Sequence, residues 1–364
     1  MNQKRDYGID LLRIVATYMI IILHILGVGG IIYTIDNSSR VYVMSWGLEF
    51  FAYCAVNCYA LISGYVGLKS KFRFFNILNL WCQVVVTSGI ITLIGWFLGV
   101  NIGLRNMLEV FVPVIAKTYW YFTAYVGLFL LTPFLNRLIE TLDKKTAKYL
   151  LLTLFVLFSV LPIFGDSDMF YVNYGYSAAW LIILYLAGAI IKKFFADTNI
   201  SRKFWLVMYV AAVLITLISK LGIEYLLTKS PNFMYDSNFL MNYNSPTMVL
   251  AAVSLLYVLA NLKVKKMEKI IRLLAPFTFG IYIIHTHPIV WDYILANRFE
   301  GFVNYGPIAL VLLVLGTAIF ILIICVVLEY IRQKIFTLLK IQNLCKKVEK
   351  IGADKIERLF GNVE

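Results

Sequence analysis

The sequence predicts an all-α polytopic membrane protein of about ten transmembrane helices with both termini in the cytoplasm, and three observations predict it. Hydrophobic residues make up 61% of the 364 residues and the mean hydropathy is +0.81, far more apolar than a soluble domain. The apolar runs fall at about 9–32, 42–66, 75–100, 119–138, 147–164, 177–192, 203–222, 246–261, 273–294 and 307–331. Of the 33 Lys and Arg, 26 lie before the first run, in alternate loops or in the tail, five lie in the intervening loops, and Arg13 and Lys220 lie within runs. By the positive-inside rule this places both ends in the cytoplasm. The same bias accounts for the net charge of +13 through contact with anionic lipid, without a nucleic-acid partner.

Span one has no A-x-A-like cleavage site after it and reads as a retained signal anchor. It places two ionisable residues, Arg13 and His24, in apolar surroundings. Eleven helical positions leave them about 20° apart around the axis and about 16 Å apart along it, so they share a face. Such residues normally face a protein interior or a wet cavity. Arg13 lies near the cytoplasmic boundary, where snorkelling is the plainer alternative. His24 lies beyond the midplane, where an imidazole with one nitrogen held by a partner keeps the other as a base.

Span two carries Glu49 in its outer third and Asn57 near its middle. Glu49 either orients an imidazole or sits at headgroup level; Asn57 is either a polar contact at the depth of His24 or a helix-to-helix bond. The outer loops 101–118, 165–176 and 223–245 are the longer ones and rich in Tyr, Asn, Asp and Ser, as in SPNFMYDSNFLMNYNSP at 230–246. These side chains suit a sugar, and Tyr equally suits a membrane interface. Span four opens with Tyr119-Trp120-Tyr121, which fits an aromatic belt. In span nine, FTFGIYIIHTHPIVWDYI, a straight helix sets His285 and His287 200° apart, puts His285 on the face of Asp292, and stacks His287 with Trp291. Beyond span ten, 333–364 reads as a basic amphipathic tail on the inner leaflet, separate from a membrane domain of 1–332. The scattered cysteines and three histidines give no disulfide framework and no metal spacing. Neither internal repeats nor paired Gly/Pro-broken helices of the transporter kind are visible.

Taken together, these stretches resemble the integral-membrane acyltransferase 3 family, which acylates bacterial surface glycans. GIDLLRIVATYMIIILH resembles the family's first helix, with Arg13, ten residues, then His24. AVNCYALISGY, Ala55 to Tyr65, resembles its second, with Asn57 where an acid is common. TYWYFTAYVGLFLLTPFLN at 118–136 and GIYIIHTHP at 280–288 resemble its Trp-containing fourth segment and its Y-L-x-H stretch. The family's R-R-x-x-R motif survives only as Lys71 and Arg73, with Phe72 and Asn76 at the outer positions.

The resemblance implies acyl transfer, most simply of acetyl, from cytoplasmic acyl-CoA to a hydroxyl of a cell-envelope glycan or lipid-linked sugar in the bacterial plasma membrane. It implies His24 and Arg13 as catalytic, and Arg13, Lys71 and Arg73 as the grip on the CoA phosphates. Glu49, Asn57, Trp120 and His285 are the candidate substrate contacts. A secondary transporter or flippase using the same buried His and Arg, and a non-catalytic envelope subunit, are the readings from other classes.

Overall fold

The computed structural model describes residues 5–68, 70, 72–165, 168–230, 235–260 and 262–360, with side chains as far as 351. The described residues form helices joined by loops, with no strand among them. In chain order the main helices are α1 (Tyr7–Leu26), α2 (Arg40–Tyr53), α3 (Ala55–Gly67), α4 (Phe74–Phe97) and α5 (Trp120–Thr141). There follow α6 (Lys144–Phe164), α7 (Ala178–Phe195), α8 (Arg202–Lys229) and α9 (Pro246–Leu259). The chain ends with α10 (Lys265–His285), α11 (Pro288–Leu295), α12 (Pro307–Leu338) and α13 (Ile341–Phe360).

Eight of the predicted spans are long and apolar enough to cross a membrane, and α10 with α11 makes a ninth if the bent pair counts as one. The predicted eighth span falls short. Its helix, α9, has 14 residues, which is about 21 Å against a hydrocarbon core of about 30 Å. The stretch 243–245 before it, non-helical as the loop reading expects, is buried, and its polar groups are met by protein: Asn57 donates to the Tyr243 carbonyl, and Asn244 Nδ2 donates to the Phe158 carbonyl. Irregular backbone is tolerated at such depth where protein surrounds it.

Span nine is not straight. It bends by 66° between α10 and α11, because Pro288 has no N–H to give and disfavours helical geometry at His287, which is extended at ψ 135. The bend separates Trp291 from the face expected under His287. It turns His287 towards Thr92 on α4, Oγ1 to Nε2 3.4 Å, and frees Trp291 to meet α1.

Helix α1 is the hub. Asp6 caps it through the amides of Gly8 and Ile9, and 12 of its 20 residues are buried against α2, α3, α9, α10 and α12. The apolar residues of α1 run all round the axis, which is what a helix enclosed by others requires. Span two is interrupted at Cys54, which stands at φ −72, ψ 0 between α2 and α3. Helix α12 continues to Leu338, and the turn at Leu339–Lys340 starts the amphipathic α13, which lies along α4 with Cys345 Sγ 3.5 Å from Cys82 Sγ.

Helices α3 and α7 cross with their backbones nearly touching. A Cβ on Gly64 would stand 1.9 Å from the Tyr185 carbonyl oxygen, and one on Gly188 2.0 Å from that of Leu61. Only glycine permits this approach, as in other close transmembrane crossings. Gly188→Val is expected to wedge the pair apart and lower the Tm of the purified protein by roughly 5 °C or more. Gly222→Ala, with nothing within 4 Å of the added methyl, is expected to leave the Tm unchanged or slightly raised. Equal Tm values for the two variants would contradict the crossing.

Candidate active site

Because α1 is enclosed, its polar face has to open on a cavity inside the bundle. Arg13 and His24 both line a cavity of about 500 Å³, as their shared face predicts. The rest of its wall is mainly aromatic: Tyr59 from α3, Trp120, Tyr121 and Tyr125 from α5, Tyr243 before α9, Tyr282 from α10 and Trp291 from α11. Its charged wall residues are Arg13 and Asp292.

The geometry around His24 assigns its protons. His285 is 1% exposed, and its Nδ1 lies 2.6 Å from the carbonyl oxygen of Ile281. A carbonyl only accepts, so that nitrogen carries the hydrogen, and the Nε2 of a neutral His285 is an acceptor. His24 Nδ1 lies 3.1 Å from this Nε2 and donates to it. The remaining nitrogen of His24, Nε2, therefore holds a lone pair. The His24 ring is further fixed by Trp291, edge-on with centroids 4.7 Å apart.

At the other end of the face, Arg13 donates from Nη1 to Asp10 at 2.7 Å, and Asp10, 4% exposed, also takes Arg5 at 2.5 Å. Two guanidiniums on one carboxylate leave the cluster net positive. The Arg13 carbonyl accepts from Thr17 at 2.9 Å and from Tyr59 at 3.0 Å, and the Thr17 and Tyr59 hydroxyls also meet each other. A second chamber, of about 710 Å³, opens beyond Arg13 between α3, α4 and α5. Arg13, Ser63, Leu80 and Tyr125 belong to both walls, so the two cavities adjoin.

The other candidate residues are distributed as follows. Trp120 is on the cavity wall, 6.2 Å from Tyr243 and nearly parallel to it. His285 stands behind His24 rather than in the wall. Asn57 is fully buried behind the wall: its Nδ2 donates to the Tyr243 carbonyl at 2.7 Å and its Oδ1 accepts from Trp180 Nε1 at 3.0 Å, so it braces three segments. Glu49 is buried outside the wall, with Oε2 lacking a hydrogen-bond partner. Arg73 is not among the chamber-lining residues; it follows Phe72, which is, and lies 3.9 Å from Glu349 of α13. Lys71 lies outside the described residues. Among those residues no group of His, Cys, Asp and Glu could hold a metal ion.

Sequence reasoning missed Tyr59 and assigned Trp291 to the wrong histidine. A tyrosine in mid-span, away from the interfacial belt, is the signal that would have found Tyr59.

A half-buried histidine with one nitrogen held by a neighbour and the other open on an aromatic-walled cavity is an arrangement suited to proton transfer or nucleophilic attack. Residues 6–337 match the acyltransferase 3 family, described as an acyltransferase domain, and the chain belongs to that family. It is a membrane acyltransferase, passing an acyl group from a donor to an acceptor. No curated protein and no solved structure matches the chain.

With three histidines in the chain, the proton assignment is directly measurable. In ¹⁵N-histidine-labelled protein, both His24 and His285 are expected as Nδ1–H tautomers, and His285→Phe is expected to shift only the His24 signals among the two remaining rings. A His24 ring protonated on Nε2 in the wild type would refute the assignment.

Proposed function

We propose that this acyltransferase takes its acyl group, acetyl first among the candidates, from cytoplasmic acyl-CoA and delivers it to a hydroxyl of a cell-envelope glycan or lipid-linked sugar at the outer face of the bacterial plasma membrane. The observation that carries this reading is the pair of adjoining cavities with Arg13 at their junction and His24 in the aromatic one. A net-positive Arg5–Asp10–Arg13 cluster suits an anionic donor, and stacked aromatics with hydroxyls suit a sugar. The loop-charge bias supports cytoplasmic termini and a donor side at the Arg13 end. It also supports placing the tail on the inner leaflet, where α12 runs on past residue 333 to Leu338 and the separate element is α13.

The acceptor oxygen attacks the thioester carbonyl carbon as His24 Nε2 removes its proton. The tetrahedral intermediate collapses with cleavage of the C–S bond, and the departing thiolate takes the proton from His24. In the relay version, His24 Nε2 attacks the thioester, the C–S bond breaks and the thiolate leaves; the acceptor hydroxyl then attacks the acyl-imidazole, the C–N bond breaks, and the hydroxyl proton passes by way of the freed imidazole to the thiolate. His285 acts as the positioning residue for either version. With its Nδ1–H on Ile281 and its Nε2 receiving from His24, it has no donor left for an oxyanion, and the Asn57 amide is equally engaged. Stabilising the oxyanion therefore falls to hydroxyls of the wall, such as Tyr121 and Tyr282. Lys71 and Arg73 remain the proposed grip on the donor phosphates, with Arg73 released from Glu349 on docking. Trp120 is the stacking surface for the acceptor, and Glu49 supports the acceptor side from behind Tyr53 and Tyr243.

Incubating protein in nanodiscs with labelled acetyl-CoA and a panel of envelope glycans tests the reading. His24→Ala is expected to remain monodisperse and to lose transfer by about 10³-fold or more. Lys71→Ala with Arg73→Ala is expected to raise the donor KM with little change in kcat. Wild-type transfer by the His24 variant would remove His24 from the chemistry, and absence of labelled product across the panel would count against the donor and acceptor classes.

A further inference from the structure

The larger chamber holds a polar group that nothing in the protein satisfies. Asn79, on α4, lines it, and its Oδ1 is buried without a hydrogen-bond partner. The neighbouring amide in the same wall is fully used: Asn136 Nδ2 donates to the Gly67 carbonyl at 3.1 Å, and its Oδ1 accepts from Tyr185 at 2.7 Å. A buried acceptor left unpaired costs about 1–3 kcal/mol, and such a group in a cavity points to a missing partner. Position narrows what that partner is. The next residue, Leu80, belongs to both cavity walls, so Asn79 stands just before the junction through which a donor must reach His24.

We infer that the side-chain amide of Asn79 binds the amide-bearing arm of a pantetheine thioester as it passes from the larger chamber towards His24. This rests on the acyl-CoA reading above and adds a residue to it. A side-chain amide is complementary to a secondary amide: its oxygen takes the ligand N–H and its NH₂ donates to the ligand carbonyl. Taking the ligand N–H requires the Asn79 amide to turn its shielded oxygen towards the chamber as the arm enters. The pantetheine arm carries two such amides between its phosphates and its sulfur. A phosphate is a poor fit for an acceptor oxygen, so the nucleotide end belongs nearer Arg137 and the Phe72 end of the chamber, with Arg73 the next residue along the chain.

The test compares two donors that share the arm. Full-length protein in nanodiscs is titrated with radiolabelled acetyl-CoA and with S-acetyl-pantetheine, which lacks the nucleotide. Asn79→Leu is expected to weaken both by about five- to tenfold, whereas Arg73→Ala weakens acetyl-CoA alone. Removing the orphan acceptor is also expected to leave the ligand-free Tm of Asn79→Leu equal to the wild type or higher. Asn79→Ser, which shortens the side chain without adding bulk, carries the same binding expectation and replaces the Leu variant if that one aggregates. Wild-type affinity of the Asn79 variants for S-acetyl-pantetheine overturns the inference. So does a wild type that binds acetyl-CoA but shows no S-acetyl-pantetheine binding at millimolar concentration. A wild type that binds neither thioester instead overturns the donor reading on which the inference rests.

Discussion

The hydrogen bond from His285 to the Ile281 carbonyl is the constraint that sets how the two cavity-side histidines share their protons. It decides which nitrogen of His285 accepts, hence which nitrogen of His24 donates, hence which nitrogen of His24 stays open. The carbonyl can serve only if α10 is held in place. Gly280, immediately before Ile281, lies against the carboxylate of Glu329 on α12, where a Cβ would stand 2.1 Å from Oε2. Glu329 is itself fixed by a two-pronged bond to Arg332, both side chains buried. Breaking a buried pair of this kind by removing one partner costs about 3–5 kcal/mol. The pair, the glycine and the histidine tautomer thus form one mechanical chain from α12 to the open nitrogen of His24.

The bend before Pro288 is the second consequence of that region's sequence. A straight span nine would send Trp291 to the side of His287. The 66° turn instead brings Trp291 against His24 and lets Asp292 join the cavity wall. One proline therefore sorts two histidines separated by a single residue, His285 to the cavity side and His287 to α4.

How much was legible in the sequence follows from how local each relation is. Arg13 and His24 belong to one helix, so helical periodicity alone put them on one face, and the cavity confirms it. Most span positions were legible for the same reason: hydropathy is a property of contiguous residues. Asn57 was legible as a buried polar residue at the right depth, yet its partners, Tyr243 and Trp180, lie 186 and 123 residues away. No spacing rule reaches them. The orphaned oxygen of Asn79 was invisible because satisfaction depends on neighbours from other helices. The stretch 243–245 was legible as loop from its Tyr-Asn-Ser composition, but its burial was not, because the partners Asn57 and Phe158 come from distant segments.

The placement of Lys220 shows how the Tyr243 side of the cavity wall is held. A lysine in the C-terminal half of α8, 3% exposed, is costly unless its three donors and its charge are met. Glu224 meets the charge at 2.8 Å, Asn238 Oδ1 accepts at 2.9 Å, and the Trp46 ring lies 3.9 Å below the ammonium. Tyr42 adds a 2.5 Å bond to Glu224. These residues come from α2, α8 and the loop before α9, so the cation ties that loop to two helices. Five residues beyond Asn238 is Tyr243, whose carbonyl receives Asn57 and whose ring faces Trp120 across the cavity wall. A stretch without helical hydrogen bonds keeps a defined shape at membrane depth because polar side chains grip it at both ends. That is why an aromatic wall can be built from a loop here.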